Sequence, residues 1–456
     1  MRDPANLPER VHIIGAGGAG MSGLAKILSQ LGHTVTGSDV KPGIMLDSLS
    51  DVGVETWIGH RPSRVIDAGL VVCSSAVPDT DPEVVAAHEA GVPVWMRPAL
   101  LAALTKANTA LGLAGTHGKT TSSALAVAAL RGSGIDPSFM VGGQIARLNT
   151  GSHVGDTTSP FILEADEAFG TFRHLDLQSI LVTNIEADHL DHYGTVAALE
   201  DAFAQVVARV DGPRVGCIDD AGVRRLAQRT EITTYGFEEG ADWRITDAHH
   251  EGGGVQFTLT GQTSEVGVAL PKPGLHLASN AAGVLAMLAE SGFDLEPAAT
   301  ALSSFSGVRR RYEIRAEVDG VTVVDDYAHH PTEVAATIEA ARLGTDGRVI
   351  AVFQPHRYSR TADLGPDFGG PLALADQVFV TDVYAAGERP IIGVSGRLVA
   401  QAAEAAGAET RYVPRIADVA PQVTAAAQPG DTILLLGAGD ITSTAGPIAA
   451  SLGASP

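Results

Sequence analysis

Gly115-Thr-His-Gly-Lys-Thr120 sets two glycines, a lysine and two hydroxyls within six consecutive residues. Those groups can close on an anion: glycine lets the backbone turn until successive N–H groups converge, and lysine adds a positive charge. The residues before them, Ala110 to Ala114, are apolar and predict a short buried strand, while Ser122 to Leu130, rich in alanine and leucine, predict a helix. Strand, glycine loop and helix in that order aim backbone amides and the positive end of a helix dipole at one point, where phosphate oxygens bind. Gly115, Thr116, His117, Gly118 and Thr121 then line a phosphate chain, Lys119 reaches its outer phosphates, and the Thr120 hydroxyl ligates Mg²⁺. The loop is shorter than the common G-x-x-x-x-G-K-[ST] form, because Leu113 stands where its first glycine would be. Gly-Lys-Thr alone could be an ordinary helix cap; the strand and the second glycine favour phosphate.

Further groups fall at the ends of predicted strands. Phe161 to Leu163 delivers Glu164, and Ile180 to Thr183 leads on to His189. Both are candidates for further magnesium ligands, with a helix-capping acid and a loop histidine as the plainer alternatives. Near the start, the strand Val11 to Ile14 runs into Gly15-Ala-Gly17-Gly18-Ala19-Gly20 and a helix from Met21 to Leu31. This G-x-G-x-x-G turn, with Ser38 and Asp39 about 20 residues on, is the pattern of a diphosphate or ribose site. A strand from Leu70 to Cys73 brings Ser74 and Ser75 to the same edge, unless they are only a polar loop. Later, Arg309-Arg-Arg311 form either a solvated basic turn or a clamp for phosphate or carboxylate, and beyond them Tyr327, His329, His356, Arg357 and Arg360 gather cations and imidazoles after the strands Val321 to Val324 and Arg348 to Phe353. Such a group suits a small anion such as an amino-acid carboxylate.

These residues need a scaffold, and the chain has the length for one. Of 456 residues, 45% are hydrophobic and 18% charged, which indicates several folded domains and not a disordered chain. The net charge of −22 argues against a nucleic-acid partner. No apolar run is long enough to span a bilayer, the start Met1-Arg-Asp-Pro is not a signal peptide, and only Cys73 and Cys217 occur, so a cytoplasmic location is expected. The alternation of strands and helices predicts an α/β chain of three domains. Residues 1–105 read as Rossmann-like and 106–312 as a central P-loop ATPase-type α/β domain. The short strands from about Arg214 to Leu270 add a small β-sheet to the latter. Residues 313–456 read as a second Rossmann-like domain. A helix from Ala281 to Glu290 follows Gly274-Leu-His-Leu-Ala-Ser-Asn280.

Taken together, Gly15-Ala-Gly-Gly-Ala-Gly-Met21, Gly115-Thr-His-Gly-Lys-Thr-Thr121, Glu164-Ala-Asp-Glu167, Asn184-Ile-Glu-Ala-Asp-His189, Asp325-Asp-Tyr-Ala-His-His-Pro331 and Gln354-Pro-His-Arg-Tyr-Ser-Arg360 resemble the Mur ligases, in family order and spacing over nearly the whole chain. The resemblance is strongest to the branch that joins L-alanine to UDP-N-acetylmuramate. It implies a peptidoglycan-precursor ligase using ATP and Mg²⁺, soluble, monomeric or homodimeric, with no membrane or nucleic-acid partner. By matching motif positions, it implies that Lys119, His189, Arg357 and Arg360 serve catalysis and that Thr120, Glu164 and His189 hold the metal. Asn280 and Arg310 would join the loop 115–121 in binding ATP. Gly15, Gly17, Gly18, Ala19, Gly20, Met21, Ser38, Asp39, Ser74 and Ser75 would hold the UDP-sugar, and Tyr327, His329, His356, Arg357 and Arg360 the amino acid. A related ligase that recycles a tripeptide onto the same sugar nucleotide is the alternative; a nicotinamide dehydrogenase would explain the first glycine turn but leave Lys119 idle. The chain departs from the family pattern at Leu277, where an asparagine is common. It also has no lysine between Lys119 and Lys272, which excludes the carbamylated lysine that some members use.

Overall fold

The computed structural model describes residues 1–4, 7–345 and 347–453. Its first sheet has the order β3-β2-β1-β4-β5, from β1 (Arg10–Ile14), β2 (Thr34–Asp39), β3 (Glu55–Ile58), β4 (Leu70–Cys73) and β5 (Val94–Met96). Every pairing in it is parallel. Val11, Ile13, Val71 and Val72 are buried, as the near-continuous apolar runs of a sheet covered on both faces should be. The order reverses between β1 and β4, which leaves a crevice at their carboxyl ends.

The second sheet has ten strands in the order β15-β14-β13-β12-β11-β10-β6-β9-β7-β8. They are β6 (Ala110–Ala114), β7 (Ser138–Ile145), β8 (Thr150–His153), β9 (Phe161–Glu164), β10 (Ser179–Val182), β11 (Arg214–Cys217), β12 (Thr233–Gly236), β13 (Trp243–Glu251), β14 (Gly254–Thr260) and β15 (Glu265–Leu270). The parallel strands β9, β6, β10 and β11 form its middle, with β6 fully buried. The added short strands β13 to β15 continue this sheet at one edge, and the alternating burial of β14 and β15 shows one covered face. A helix at Ala221–Ala227, not anticipated among those short strands, starts from an Asp220 side chain that accepts the Val223 N–H.

The third sheet runs β16-β17-β21-β18-β19-β20: β16 (Glu313–Val318), β17 (Val321–Asp326), β18 (Val349–Phe353), β19 (Gln377–Val380), β20 (Thr410–Tyr412) and β21 (Thr432–Leu436). Only β16 is antiparallel to its neighbour. By contacts the chain divides into two compact units. One is Met1–Asp247, Phe257–Ala269 and Ser279–Phe305; the other is Ala248–Gln256, Leu270–Ala278 and Ser306–Pro456. Within the first unit, the helix Ala19–Gln30 packs on β7 and β8, and a Cβ at Gly23 would lie 3.7 Å from Met140 and Ser152 atoms. Among the described residues no helix is long and apolar enough to cross a membrane.

Candidate active site

The glycine loop leaves β6 and opens the helix Lys119–Gly132, with Gly118 as N-cap in the left-handed region, φ +83°. Gly115 also has positive φ, +127°, and a Cβ there would collide with the Thr183 hydroxyl. The loop is stitched to the end of β10. Thr116 N–H donates to the Asn184 carbonyl (3.1 Å) and His117 N–H to Asn184 Oδ1 (2.8 Å). Thr183 Oγ1 donates to the His117 carbonyl at 2.6 Å. Thr116 Oγ1 accepts from Glu186 N–H at 2.9 Å, so this hydroxyl latches the loop. Glu186 also lies 3.4 Å from His117 Nε2. Asn280 stands over Gly118: a Cβ on that glycine would be 2.7 Å from Asn280 Oδ1. Asn280 belongs to the helix Leu275–Glu290, which begins at Leu275 and not at the expected Ala281. Leu277 is buried on that helix, 5% exposed, which suits an apolar side chain where the family pattern has asparagine.

Lys119 folds back over the loop. Its Nζ donates to the Gly115 carbonyl (2.7 Å) and to Glu167 Oε1 and Oε2 (2.8 and 2.9 Å), with Asp166 at 3.7 Å. Burial works to lower the ammonium's pKa, but Glu167 and Asp166 outweigh it and hold it above its ordinary value. Glu167 is 1% exposed; burial, joined by Asp166 and opposed by Lys119, pushes its carboxyl up to about 7. Glu164 is also raised, first by burial, although it accepts from Gly142 N–H at 2.5 Å and from the Thr120 side chain. His189 lies past β10 with φ +54°, its Nε2 3.9 Å from Glu167 Oε1. Lys119 and His189 thus both face Glu167, to which the sequence reading gave no role of its own. Its place in Glu164-Ala-Asp-Glu167, after a strand end, was the available signal.

The first glycine turn lies beside a cleft of about 320 Å³ lined by Gly15, Gly18, Asp39, His60, Ser74 and Pro78 among others. At three of the expected ligand residues the side chain is engaged within the protein, although Ser38 and Asp39 also line the cleft. Ser38 is 1% exposed and its hydroxyl donates inward to Glu83 at 2.5 Å, because strand alternation turns that side chain into the domain. Met21 is 3% exposed in the hydrophobic core, leaving only its backbone for a ligand. The Asp39 carboxylate accepts from Gly17 N–H (2.9 Å) and Lys41 N–H (3.0 Å), so it braces the turn. Ser74 Oγ accepts weakly from Ala76 N–H at 3.4 Å, and Ser75 is exposed. Ala19 and Gly20 begin the helix.

In the second unit the aromatic and imidazole rings form one chain of contacts. Tyr327 meets His329 (5.3 Å), His329 meets His356 (5.8 Å), and His356 stacks on Tyr384 (5.7 Å). Burial lowers His329 to about 3 and His356 to about 4, with Arg360 adding to both. Arg310 lies 4.9 Å over the Tyr327 ring and donates to the carbonyls of Gly437 and Gly439. Its expected place as a nucleotide contact therefore meets a guanidinium already bonded to the end of β21. Arg357 pairs with Glu388 at 2.6 Å. Arg310 and Arg357 hold φ +59° and +69°, strained values for side-chain-bearing residues that persist only where the surroundings impose them. Tyr384 and Glu388 were not anticipated; they reach the site from a loop distant in sequence.

Comparison with known proteins finds matches over nearly the whole chain. Residues 10–109 match the Mur ligase family catalytic domain, 113–288 the Mur ligase middle domain and 310–439 the Mur ligase glutamate ligase domain. A UDP-N-acetylmuramate–L-alanine ligase of Mycolicibacterium vanbaalenii is 44% identical, covering 96% of this chain and 95% of its own length. That of Cutibacterium acnes is 41% identical, covering 99% and 98%. The crystal structure of UDP-N-acetylmuramate-alanine ligase from Thermotoga maritima matches with a TM-score of 0.82 at 26% identity, over 97% of this chain and 98% of that one. A murein peptide ligase from Psychrobacter arcticus shares the fold at a TM-score of 0.69 and 24% identity, over 98% and 99%. On its three matched regions and on relatives aligned over nearly its whole length, the chain belongs to the Mur ligase family.

Proposed function

We propose that the chain is a cytoplasmic ligase that joins L-alanine to the carboxylate of UDP-N-acetylmuramate with conversion of ATP to ADP and phosphate, the first peptide-adding step of peptidoglycan precursor synthesis. In this reading residues 1–105 take the sugar nucleotide, 106–312 the ATP and 313–456 the amino acid. The observation that carries it is the meeting of Lys119, Thr120 and Glu164 at the start of the helix Lys119–Gly132, on a chain whose near relatives bear that activity.

The chemistry follows from the groups present. An amine does not displace oxide from a carboxylate. When the γ-phosphoryl group breaks from its bridging oxygen and bonds to a carboxylate oxygen, ADP leaves and an acyl phosphate forms. Alanine nitrogen then bonds to the carbonyl carbon, the C–O bond to phosphate breaks, and the nitrogen loses its proton. The first step needs charge neutralisation and in-line placement more than covalent help. Lys119 supplies that charge by exchanging Glu167 for phosphate oxygens. Thr120 and Glu164 fit Mg²⁺: a hydroxyl and a carboxylate are suitable hard ligands, and a carboxyl raised by burial is short of positive charge. His189 completes the proposed ligand set. When bound, the ion would neutralise the phosphate oxygens.

The test is phosphate release from ATP with Mg²⁺ and UDP-N-acetylmuramate, adding alanine, serine, glycine or a tripeptide in turn. Release that requires both the sugar nucleotide and alanine is the expected result. Release with the tripeptide alone would move the assignment to a recycling ligase, and release indifferent to the sugar nucleotide would reject it.

A further inference from the structure

Lys272 stands between Pro271 and Pro273, after β15 and ahead of the helix Leu275–Glu290. Proline on either side leaves its backbone little freedom, so the side chain departs in a fixed direction. Its Nζ donates to the Tyr312 carbonyl at 2.7 Å and to the Arg311 carbonyl at 3.4 Å, 40 and 39 residues on in sequence. No carboxylate among the described residues forms an ion pair with this ammonium. Burial holds its pKa below the ordinary lysine value, against Asp326 and Glu313. Gly307 makes room for it: a Cβ there would lie 2.6 Å from Lys272 Nζ and 2.7 Å from Cε.

The two carbonyls belong to a strained turn. Within residues 307–312, Gly307 (φ +84°), Arg310 (+59°) and Tyr312 (+47°) all take left-handed angles. For residues that carry side chains, such angles persist only where neighbours impose them. Here the Tyr327 N–H donates to the Arg310 carbonyl at 2.8 Å, the Asp326 carboxylate accepts from the Tyr312 N–H at 2.7 Å, and Lys272 holds the next two carbonyls. An ammonium has three donors, so it can take both at once. The turn brings consecutive guanidiniums onto one ring: Arg310 and Arg311 lie 4.9 and 5.1 Å from the centre of Tyr327. In an extended chain two consecutive side chains would point apart.

We propose that Lys272 is a positioning residue for the amino-acid substrate. It acts through the turn 307–312, whose two guanidiniums fix the Tyr327 ring. This rests on the reading above in which residues 313–456 take the amino acid. No pattern in the sequence joins Lys272 to that turn; folding brings them together.

KM for alanine, ATP and UDP-N-acetylmuramate is measured on the full-length chain, with melting temperature alongside. Lys272→Met keeps the length of the side chain but removes its donors and charge, and is expected to raise KM for alanine about tenfold or more. KM for ATP and for UDP-N-acetylmuramate, and kcat at saturating alanine, stay near wild type. Lys272→Arg, which keeps charge and donors, recovers part of the loss. In an Arg310→Met, Arg311→Met background the lysine has no guanidiniums left to place, and adding Lys272→Met should raise KM for alanine no further. Equal rises in all three KM values, an unchanged KM for alanine, or additive losses in that background would overturn the positioning role. A chain that fails to fold without the lysine would overturn it too, by making the role structural. Wild-type phosphate release that does not depend on alanine would instead fail the amino-acid reading itself, and this inference with it.

Discussion

The Lys119 ammonium is held by the Gly115 carbonyl and both oxygens of Glu167, so it must trade partners to serve a triphosphate. Lys119→Ala should cut phosphate release by ~10³-fold through lost transition-state charge stabilisation, as read in a steady-state assay. Glu167→Gln removes the ammonium's charge partner and should cost about 3 kcal/mol of stability, as removal of one member of a buried pair does. A non-hydrolysable ATP analogue should then raise the melting temperature of that variant more than that of wild type, because phosphate oxygens replace the lost carboxylate. The two depressed imidazoles have a sign that can be checked. His329 and His356 titrate near 3 and 4 in the folded chain against 6.5 ordinarily. The unfolded chain binds protons first on acidification, so their contribution is present above about pH 6.5 and is lost as pH falls through those folded values. Melting curves between pH 7 and 4 should show the loss, and His329→Gln should flatten it.

At the scale of elements, the loop works because two glycines take backbone angles that other residues resist. Gly115→Ala would meet both the strain of φ +127° and the Thr183 hydroxyl. It should lower stability by roughly 1–3 kcal/mol and weaken ATP binding severely, measured by melting and by nucleotide titration. The strand–loop–helix unit was legible because its parts are consecutive in sequence and each has its own signature. The helix Leu275–Glu290 was read too short, since the motif ending at Asn280 looked like a connection. In the structure that motif is already helical, and Asn280 reaches Gly118 from within it.

At the scale of the whole molecule, the contact pattern makes two units, with the Lys119 loop and the first sheet together in one of them. A saturating ATP analogue should therefore slow hydrogen exchange first in the strands and helix around 110–132 and 161–190. At about a hundredfold excess over Kd, binding adds roughly 2.7 kcal/mol of stability to the state that binds. Protection confined to residues 313–453 would contradict the assignment of the nucleotide to the Lys119 loop.

The sequence by itself determined what short-range order and residue chemistry determine: the α/β class, the strand ends that carry reactive groups, the strand–glycine loop–helix unit and the family. It could not determine which way a side chain turns or what crosses from another loop. The pleat of β2 and the core face of a helix turn the Ser38 and Met21 side chains inward, which no spacing announced. Glu167 under Lys119, Glu388 beside Arg357 and Lys272 against Gly307 became neighbours only through folding. Such pairings depend on strand register and long-range packing, which no local spacing of residues encodes.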